Sequence, residues 1–532
     1  MPRDESISRR RFLERSSFLA AAATVAREDA KASAQDDDSP ELPNPPARRD
    51  ALDARPARFG ATWASLSHYR CPEWFHDAKF GIYAHWGVFS AAKARGKTDW
   101  FGRNMYVPGH SNNVEHLAAH GSVRTFGYKD YVPLFRAEKF NADEWVDLYV
   151  EAGARFAGPV GEHADGFSMW DSQVNPWNAA KKGPHRDVVA EMARAVRRRG
   201  LKFLVSLHHQ WLWGWYPTWD PNTDASDPAF ASLYGPQYTS AAQGRPEPGG
   251  FDHFRVDPMP SREFQDTWLA KVKEVVAGYS PDLLWFDNRM QILPEQVRMN
   301  MAAFHYNHAA ARNQDVVLTY KRPDLELGTA TIDLERNRMP DIYPEPWLTD
   351  TSISRDSWAY ATDLKCYSAE RIVSDLVDIV SKNGCLLLNI APHPDGTIPE
   401  NQKERLRTVG QWLKTNGEAV YGTRPWLIYG EGPTQTPVGH LSDVGFEGFT
   451  SKDIRFTTKG ETLYAIALSW PDSGNKVTIK ALGAARWPGT ISGVNMLGHN
   501  GPLTFSRGLD ALDIELPAQP TSGYACVFKI QR

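Results

Sequence analysis

A chain of 532 residues with a formal net charge of -4 is long enough for more than one packed domain. That charge, with no basic stripe beyond the N-terminus, argues against a nucleic-acid partner. Four scattered cysteines (Cys71, Cys366, Cys385, Cys526) show neither metal-type spacing nor a dense disulfide framework. The 19 tryptophans are the compositional outlier and suit a large core or flat apolar platforms.

The first 34 residues read as an address. Ser8-Arg9-Arg10-Arg11-Phe12-Leu13 resembles a twin-arginine export signal, a modestly apolar stretch from Ser16 to Ala26 follows, and Ala32-Ser33-Ala34 offers a small-residue cleavage site. The apolar part is too short and alanine-rich to cross a bilayer, which takes ~20 strongly apolar residues. No other segment looks transmembrane. Residues 35–55, with Asp36-Asp37-Asp38 and Pro43, Pro45 and Pro46, read as a disordered linker. The expected location is periplasmic or extracellular.

From residue 56 to 422 short apolar runs alternate with amphipathic helices. Phe80–Ala84 runs into His85-Trp86-Gly87, and Phe156–Gly161 runs into Glu162-His163-Ala164-Asp165. Lys202–Leu207 leads to His208-His209, and Val316–Thr319 to Tyr320-Lys321. Leu283-Leu284-Trp285-Phe286 ends in Asp287-Asn288, and Leu386–Ile390 is a further run. A strand buried on both faces reads as a continuous hydrophobic run, and barrel enzymes place their chemistry just past its carboxyl end. Helices are predicted over Ala142–Gly153 and over Asp187–Arg199, the second stopped by Gly200. The pattern predicts an α/β fold, an irregular (β/α)8-like barrel with its site in the strand-end loops.

After residue 423 helical periodicity stops. Asp453–Thr458, Thr462–Leu468, Lys476–Ile479 and Ala525–Ile530 are β-prone and separated by Gly, Pro, Asp and Asn. Residues 423–532 are therefore expected to form a C-terminal antiparallel β-sandwich.

An ordered set of motifs carries a family resemblance. Trp74–Gly87, His163-Ala164-Asp165-Gly166-Phe167, Trp177-Asn178 and Gly183–Asp187 come first. Leu284–Asp287, Val380–Asn389, Asp395–Glu400 and Tyr421–Trp426 follow in order. Together they resemble glycoside hydrolase family 29, the α-L-fucosidases, from about residue 70 to 430, and the sandwich resembles that family's C-terminal domain. The resemblance implies a retaining exo-hydrolase acting on a fucosylated oligosaccharide or glycoconjugate. No cofactor is expected, and no metal, because adjacent His208 and His209 point to opposite faces of a strand without zinc-type spacing. Oligomeric state is left open.

By the same resemblance Asp287 is the nucleophile. The acid/base partner lies in a variable region; Glu335 in Thr331–Arg336 is the candidate, with Glu345, Asp333 and Glu162 as rivals. A sugar pocket needs convergent hydrogen-bonding groups and an apolar wall. His85, His163 and His208 at strand ends supply the first, while Trp86, Trp100 and Trp285 supply the second. Asp99-Trp100 stands where the family has Glu-Trp, and His163-Ala164 where it has His-His. These departures keep open a related α-L-glycoside, such as an α-L-galactoside, or a non-catalytic sugar-binding module. The tryptophan-rich loop Trp211–Trp219 is read either as a platform for the leaving group or as a satellite hydrophobic cluster.

Overall fold

The computed structural model describes residues 58–237, 259–471, 475–518 and 523–532, so the export signal and linker expected over residues 1–55 lie outside the described residues. Eight parallel strands close into a barrel in chain order. They are β1 (Phe80–Ala84), β2 (Phe156–Glu162), β3 (Lys202–Leu207), β4 (Leu283–Phe286), β5 (Val317–Tyr320), β6 (Thr331–Glu335), β7 (Trp347–Ser352) and β8 (Gly384–Ile390). β1 pairs with both β2 and β8, which closes the ring.

Successive side chains on a strand point to opposite faces, and the two apolar clusters separate on that rule. Tyr83, Leu204, Leu283, Trp285, Val317, Leu348 and Leu387 fill the barrel interior. Their neighbours Ile82, Ala84, Val205, Leu284, Phe286, Leu318 and Leu388 pack outward. Close approach inside the ring needs glycine at one point: a Cβ on Gly158 would lie 1.7 Å from the Leu204 carbonyl oxygen.

Helices Ala142–Glu151, Val188–Arg198, Arg262–Tyr279 and Glu295–Ala310 each link two consecutive strands from β1 to β5, and Ala369–Ser381 links β7 to β8. Side chains cap four of the five starts, Asn141 on Asp143 and Glu144, Asp187 on Ala190, Ser261 on Phe264 and Ser368 on Arg371, while Glu295–Ala310 begins after Pro294. Between β5 and β6, and again between β6 and β7, no helix intervenes. The irregularity thus falls where the active-site strands need room. No helix among the described residues is long and apolar enough to cross a membrane.

The chain then runs through helix Glu400–Asn416 into two antiparallel sheets. One has the order β13 (Gly493–Met496), β16 (Cys526–Gln531), β11 (Thr462–Ala467), β10 (Ile454–Lys459), β9 (Arg424–Glu431). The other is β12 (Lys476–Ile479), β15 (Leu512–Glu515), β14 (Phe505–Arg507). Alternation again sorts the residues. Leu463, Ala465 and Ala467 face the sandwich core, whereas Tyr464 and Ile466 join the large cluster that includes the barrel helices.

One buried carboxylate ties the two domains together. Asp378, on the helix before β8, receives Arg455 Nε of β10 at 2.6 Å, Lys382 Nζ at 3.0 Å and Arg338 Nη1 at 3.4 Å. Burial alone would raise its pKa, yet Lys382, Arg455 and Arg338 hold it well below the usual carboxylate range. Removing the acid leaves buried Lys382 and Arg455 without a carboxylate partner among the described residues, while Arg338 keeps Asp375 at 3.1 Å. Asp378→Ala is therefore expected to cost about 3–5 kcal/mol of stability, measured by urea unfolding. A loss below ~1 kcal/mol would show that the ion cluster does not hold the interface.

Candidate active site

The rule that separates the two clusters also aims the functional groups. On β4, Trp285 points inward and Phe286 outward, so Asp287 points inward again. By the same count His85, His208, Lys321, Asp333, Glu335, Asp350 and Asn389 all face the axis of the barrel near its carboxyl end.

Lys321 is the centre of this group. Its ammonium lies 2.7 Å from Asp333 Oδ2, 3.0 Å from Asp350 Oδ1 and 3.7 Å from Asp287 Oδ1. It also stands 4.1 Å from the Trp285 ring centroid. Trp285 Nε1 donates to Asp333 Oδ2 at 3.0 Å, and the Tyr83 hydroxyl donates to Asp350 Oδ2 at 3.0 Å. Burial would depress the Lys321 pKa, but Asp333, Asp350, Glu335 and Asp287 together hold it well above the ordinary lysine value.

Asp287 is the exposed end of this network, with one fifth of its side chain open (20%). His208 Nδ1 lies 3.6 Å from its Oδ2, and Gln210 Nε2 donates to its backbone oxygen at 2.7 Å. Glu335, at the end of β6, is only partly covered. Burial raises its pKa well above the usual value; Lys321 opposes this, and Asp287 and Asp350 reinforce it. Asp333 is pushed up too, first by burial, but its side chain is fully enclosed and committed to Lys321 and Trp285.

Three imidazoles make the opposite wall. Ring centroids of His85, His163 and His208 are 4.7–5.4 Å apart. His85 is fixed by Asn389, whose Oδ1 accepts from its backbone N and from Nδ1, each at 2.8 Å. His208 Nε2 pairs with Ser206 Oγ at 2.8 Å, while buried His163 Nδ1 has no hydrogen-bond partner. Burial, then the neighbouring charges, lowers all three pKa values, that of His85 to about 3. Neutral imidazoles both donate and accept, which suits sugar hydroxyls. Their nitrogens, within 4.8 Å of one another, are also the group among the described residues that could hold a metal ion.

Several sequence expectations need correction. Trp86 points outward, its indole wedged among Phe135, Phe140 and Trp145 and donating to the His393 carbonyl, so it cannot line the sugar pocket. The apolar wall beside His85 is instead Trp358, 5.3 Å away between ring centroids. Asp99 reaches that wall from behind, its Oδ1 accepting from Ser357 Oγ at 3.2 Å and Trp358 N at 3.3 Å. Half-buried Trp100 packs on Trp211 and Trp215, which are themselves buried. The tryptophan-rich loop is thus mainly a hydrophobic cluster.

Among the rival acids, Glu162 is sealed against Lys271 and Ser168 with no exposed side-chain surface. Glu345 is exposed and precedes the first residue of β7, at the opposite end of the barrel from the chemistry. Ala164 is buried within the large apolar cluster. Sequence reasoning assigned no role to Lys321, Asp350, Asn389 or Trp358. Counting alternate positions from Val317 and Leu387 finds Lys321 and Asn389, whereas β7 has no apolar run to mark Asp350 and nothing local marks Trp358.

Comparison with known proteins agrees with this geometry. A family model described as Alpha-L-fucosidase matches residues 48–418, and one described as Alpha-L-fucosidase C-terminal domain matches residues 447–531. Human tissue α-L-fucosidase is 30% identical over 482 residues, covering 89% of this chain and 91% of that one. Human plasma α-L-fucosidase is 32% identical over 473 residues, covering 86% and 89%. The Thermotoga maritima α-fucosidase solved with fucose superposes with a TM-score of 0.70 at 27% identity, covering 89% of this chain and all (100%) of that one. The same enzyme has also been solved with a mechanism-based inhibitor. With its barrel and its sandwich each matched, the chain belongs to the α-L-fucosidase family of glycoside hydrolases.

Proposed function

We propose that this protein is an exo-acting, retaining α-L-fucosidase that releases terminal fucose from oligosaccharides or glycoconjugates through a glycosyl-aspartate. The observation that carries this is the contrast between its two mouth carboxyls. Asp287 has an ammonium at 3.7 Å and an imidazole at 3.6 Å, whereas burial and two aspartates work to keep Glu335 protonated. Two carboxyls in opposed environments are what acid and nucleophile roles require. That a mechanism-based inhibitor binds the T. maritima relative is consistent with this reading.

In the first step Glu335 gives its proton to the glycosidic oxygen as Asp287 attacks C1 and the leaving group departs. Forming the ester removes the negative charge of Asp287. One of the pressures raising the Glu335 pKa then disappears, so Glu335 is left ionised and ready to act as base. In the second step it takes a proton from water, which attacks C1 and frees Asp287. The histidine wall and Trp358 hold the sugar ring, and Lys321 keeps Asp333 and Asp350 in place beneath it.

Export by the twin-arginine route is proposed from Ser8–Leu13. The four cysteines are all free, so folding before export would need no disulfide.

Two experiments test the mechanism on an aryl α-L-fucoside. Asp287→Ala should lose at least about 10³-fold in kcat, and azide should restore turnover as the inverted glycosyl azide. Glu335→Ala should lose about 10²–10⁴-fold on substrates with poor leaving groups and much less on activated aryl fucosides. Failure of azide to rescue Asp287→Ala would remove Asp287 from the nucleophile's role.

The pH profile supplies the second test. Glu335 works as acid only while protonated, so kcat/KM falls as pH rises through its pKa. Lys321 lowers that pKa, so Lys321→Met is expected to move the alkaline limb to higher pH while reducing kcat about 10²-fold. An alkaline limb that moves downward would separate Lys321 from the acid.

A further inference from the structure

The two family models leave a gap between residues 418 and 447, and the segment within it crosses from the sandwich to the mouth of the barrel. This segment, between β9 and β10, docks on the residues that immediately follow β6. Leu441 N donates to the Glu335 carbonyl at 3.3 Å, and Asp443 N donates to the Arg336 carbonyl at 3.0 Å. Gly439 N at 3.0 Å and Ser442 Oγ at 3.2 Å both donate to Asn337 Oδ1. Asp443 accepts from Thr351 Oγ1 at 2.5 Å and lies 3.8 Å from Arg336. Arg371 of the barrel donates to the Phe446 carbonyl.

His440 sits between the two innermost of these anchors. It sits in a tight turn closed by Ser442 N on the Gly439 carbonyl at 3.1 Å, with Gly439 at a φ of 128° before it and Leu441 at a φ of 56°, uncommon for leucine, after it. The imidazole is open to solvent and makes no hydrogen bond among the described residues. It nevertheless lies within the field of the catalytic groups. Partial desolvation and then Lys321 lower its pKa, while Asp287 and Asp350 pull the other way. The ring is therefore neutral near pH 7 and able to donate or accept.

Its place in the barrel says what it faces. The sugar-binding histidines come from β1, β2 and β3, and Asp287 from β4. Glu335 and the His440 turn stand on β6, across the mouth. The acid must face the leaving oxygen, so a side chain anchored to its backbone borders the leaving group. We propose that His440, carried by the C-terminal domain, is a specificity-determining residue that hydrogen-bonds a hydroxyl of the sugar to which the fucose is attached.

This inference rests on the assignment of Glu335 as acid, and the test keeps the two apart. Wild type, His440→Ala and His440→Gln would be assayed on an aryl α-L-fucoside and on fucosyl disaccharides. The expected result is about a tenfold loss of kcat/KM on disaccharides in His440→Ala, mainly through KM, the size of one neutral hydrogen bond. Aryl fucoside turnover should change less than about twofold, and His440→Gln, which keeps a donor and an acceptor, should recover part of the loss. Equal losses on both substrates, or no loss on either, would overturn the role of His440. The expected leaving-group dependence of Glu335→Ala, found alongside that result, would leave Glu335 in place. Absence of such dependence in Glu335→Ala would instead remove the acid on which the inference rests. Melting temperature reports whether each variant is folded.

Discussion

One ammonium among four acids is the constraint on which the rest of this site depends. Lys321 is buried with Asp333, Asp350, Asp287 and Glu335 all acting on it. At an effective dielectric of about 20, two like charges ~4 Å apart cost about 4 kcal/mol, so one cation cannot offset four ionised carboxylates. At least one proton must remain in the cluster. Asp333 and Glu335 are the two acids that burial pushes upward, and only Glu335 opens to the mouth. Burial first, and the charge balance of the barrel floor with it, thus favour the protonated Glu335 that the proposed general acid requires.

The same balance explains the neutral wall. Sugar hydroxyls are recognised by groups that both give and accept hydrogen bonds, and a protonated imidazole only gives. Burying three histidines together depresses each through loss of solvent and through the others' charge, or that of Lys321 in the case of His208. Charge is concentrated along the axis from Lys321 to Asp287, and the wall around it stays uncharged. Asn389 and Ser206 then fix which way two of the rings face.

Much of this was legible in the chain because parallel barrel strands are buried on both sides. Phe80–Ala84 and Leu283–Phe286 could not be mistaken for exposed strands, and the polar residues after them marked the site. What an apolar run hides is its own alternation. His85 and Trp86 are adjacent and equally suited to a sugar site, yet the step from one to the next turns Trp86 out into the helix layer. β7 was harder for the opposite reason: Trp347-Leu348-Thr349-Asp350-Thr351-Ser352 has no apolar run, so Asp350 passed unmarked. Trp358 lies in a loop placed by Asp99 and Asn389, contacts that span long stretches of chain. Such loops are decided by tertiary partners and not by local pattern.

The C-terminal sandwich is legible from its β-prone texture and from the family resemblance, and neither gives it a part in the site. Its attachment to the barrel does. Asp378 joins Arg455 of the sandwich to Lys382 and Arg338 of the barrel, and Arg338 lies three residues past Glu335. The segment that follows β9 then ties its backbone to the carbonyls of Glu335 and Arg336. No helix lies between β6 and β7, and within the barrel the end of β6 is held by Arg336, whose N donates to the Asp350 carbonyl at 2.9 Å and whose guanidinium donates to the Ser354 carbonyl at 2.8 Å. The segment after β9 adds its own backbone bonds to Glu335 and Arg336, so the position of Glu335 is set by the second domain together with the barrel.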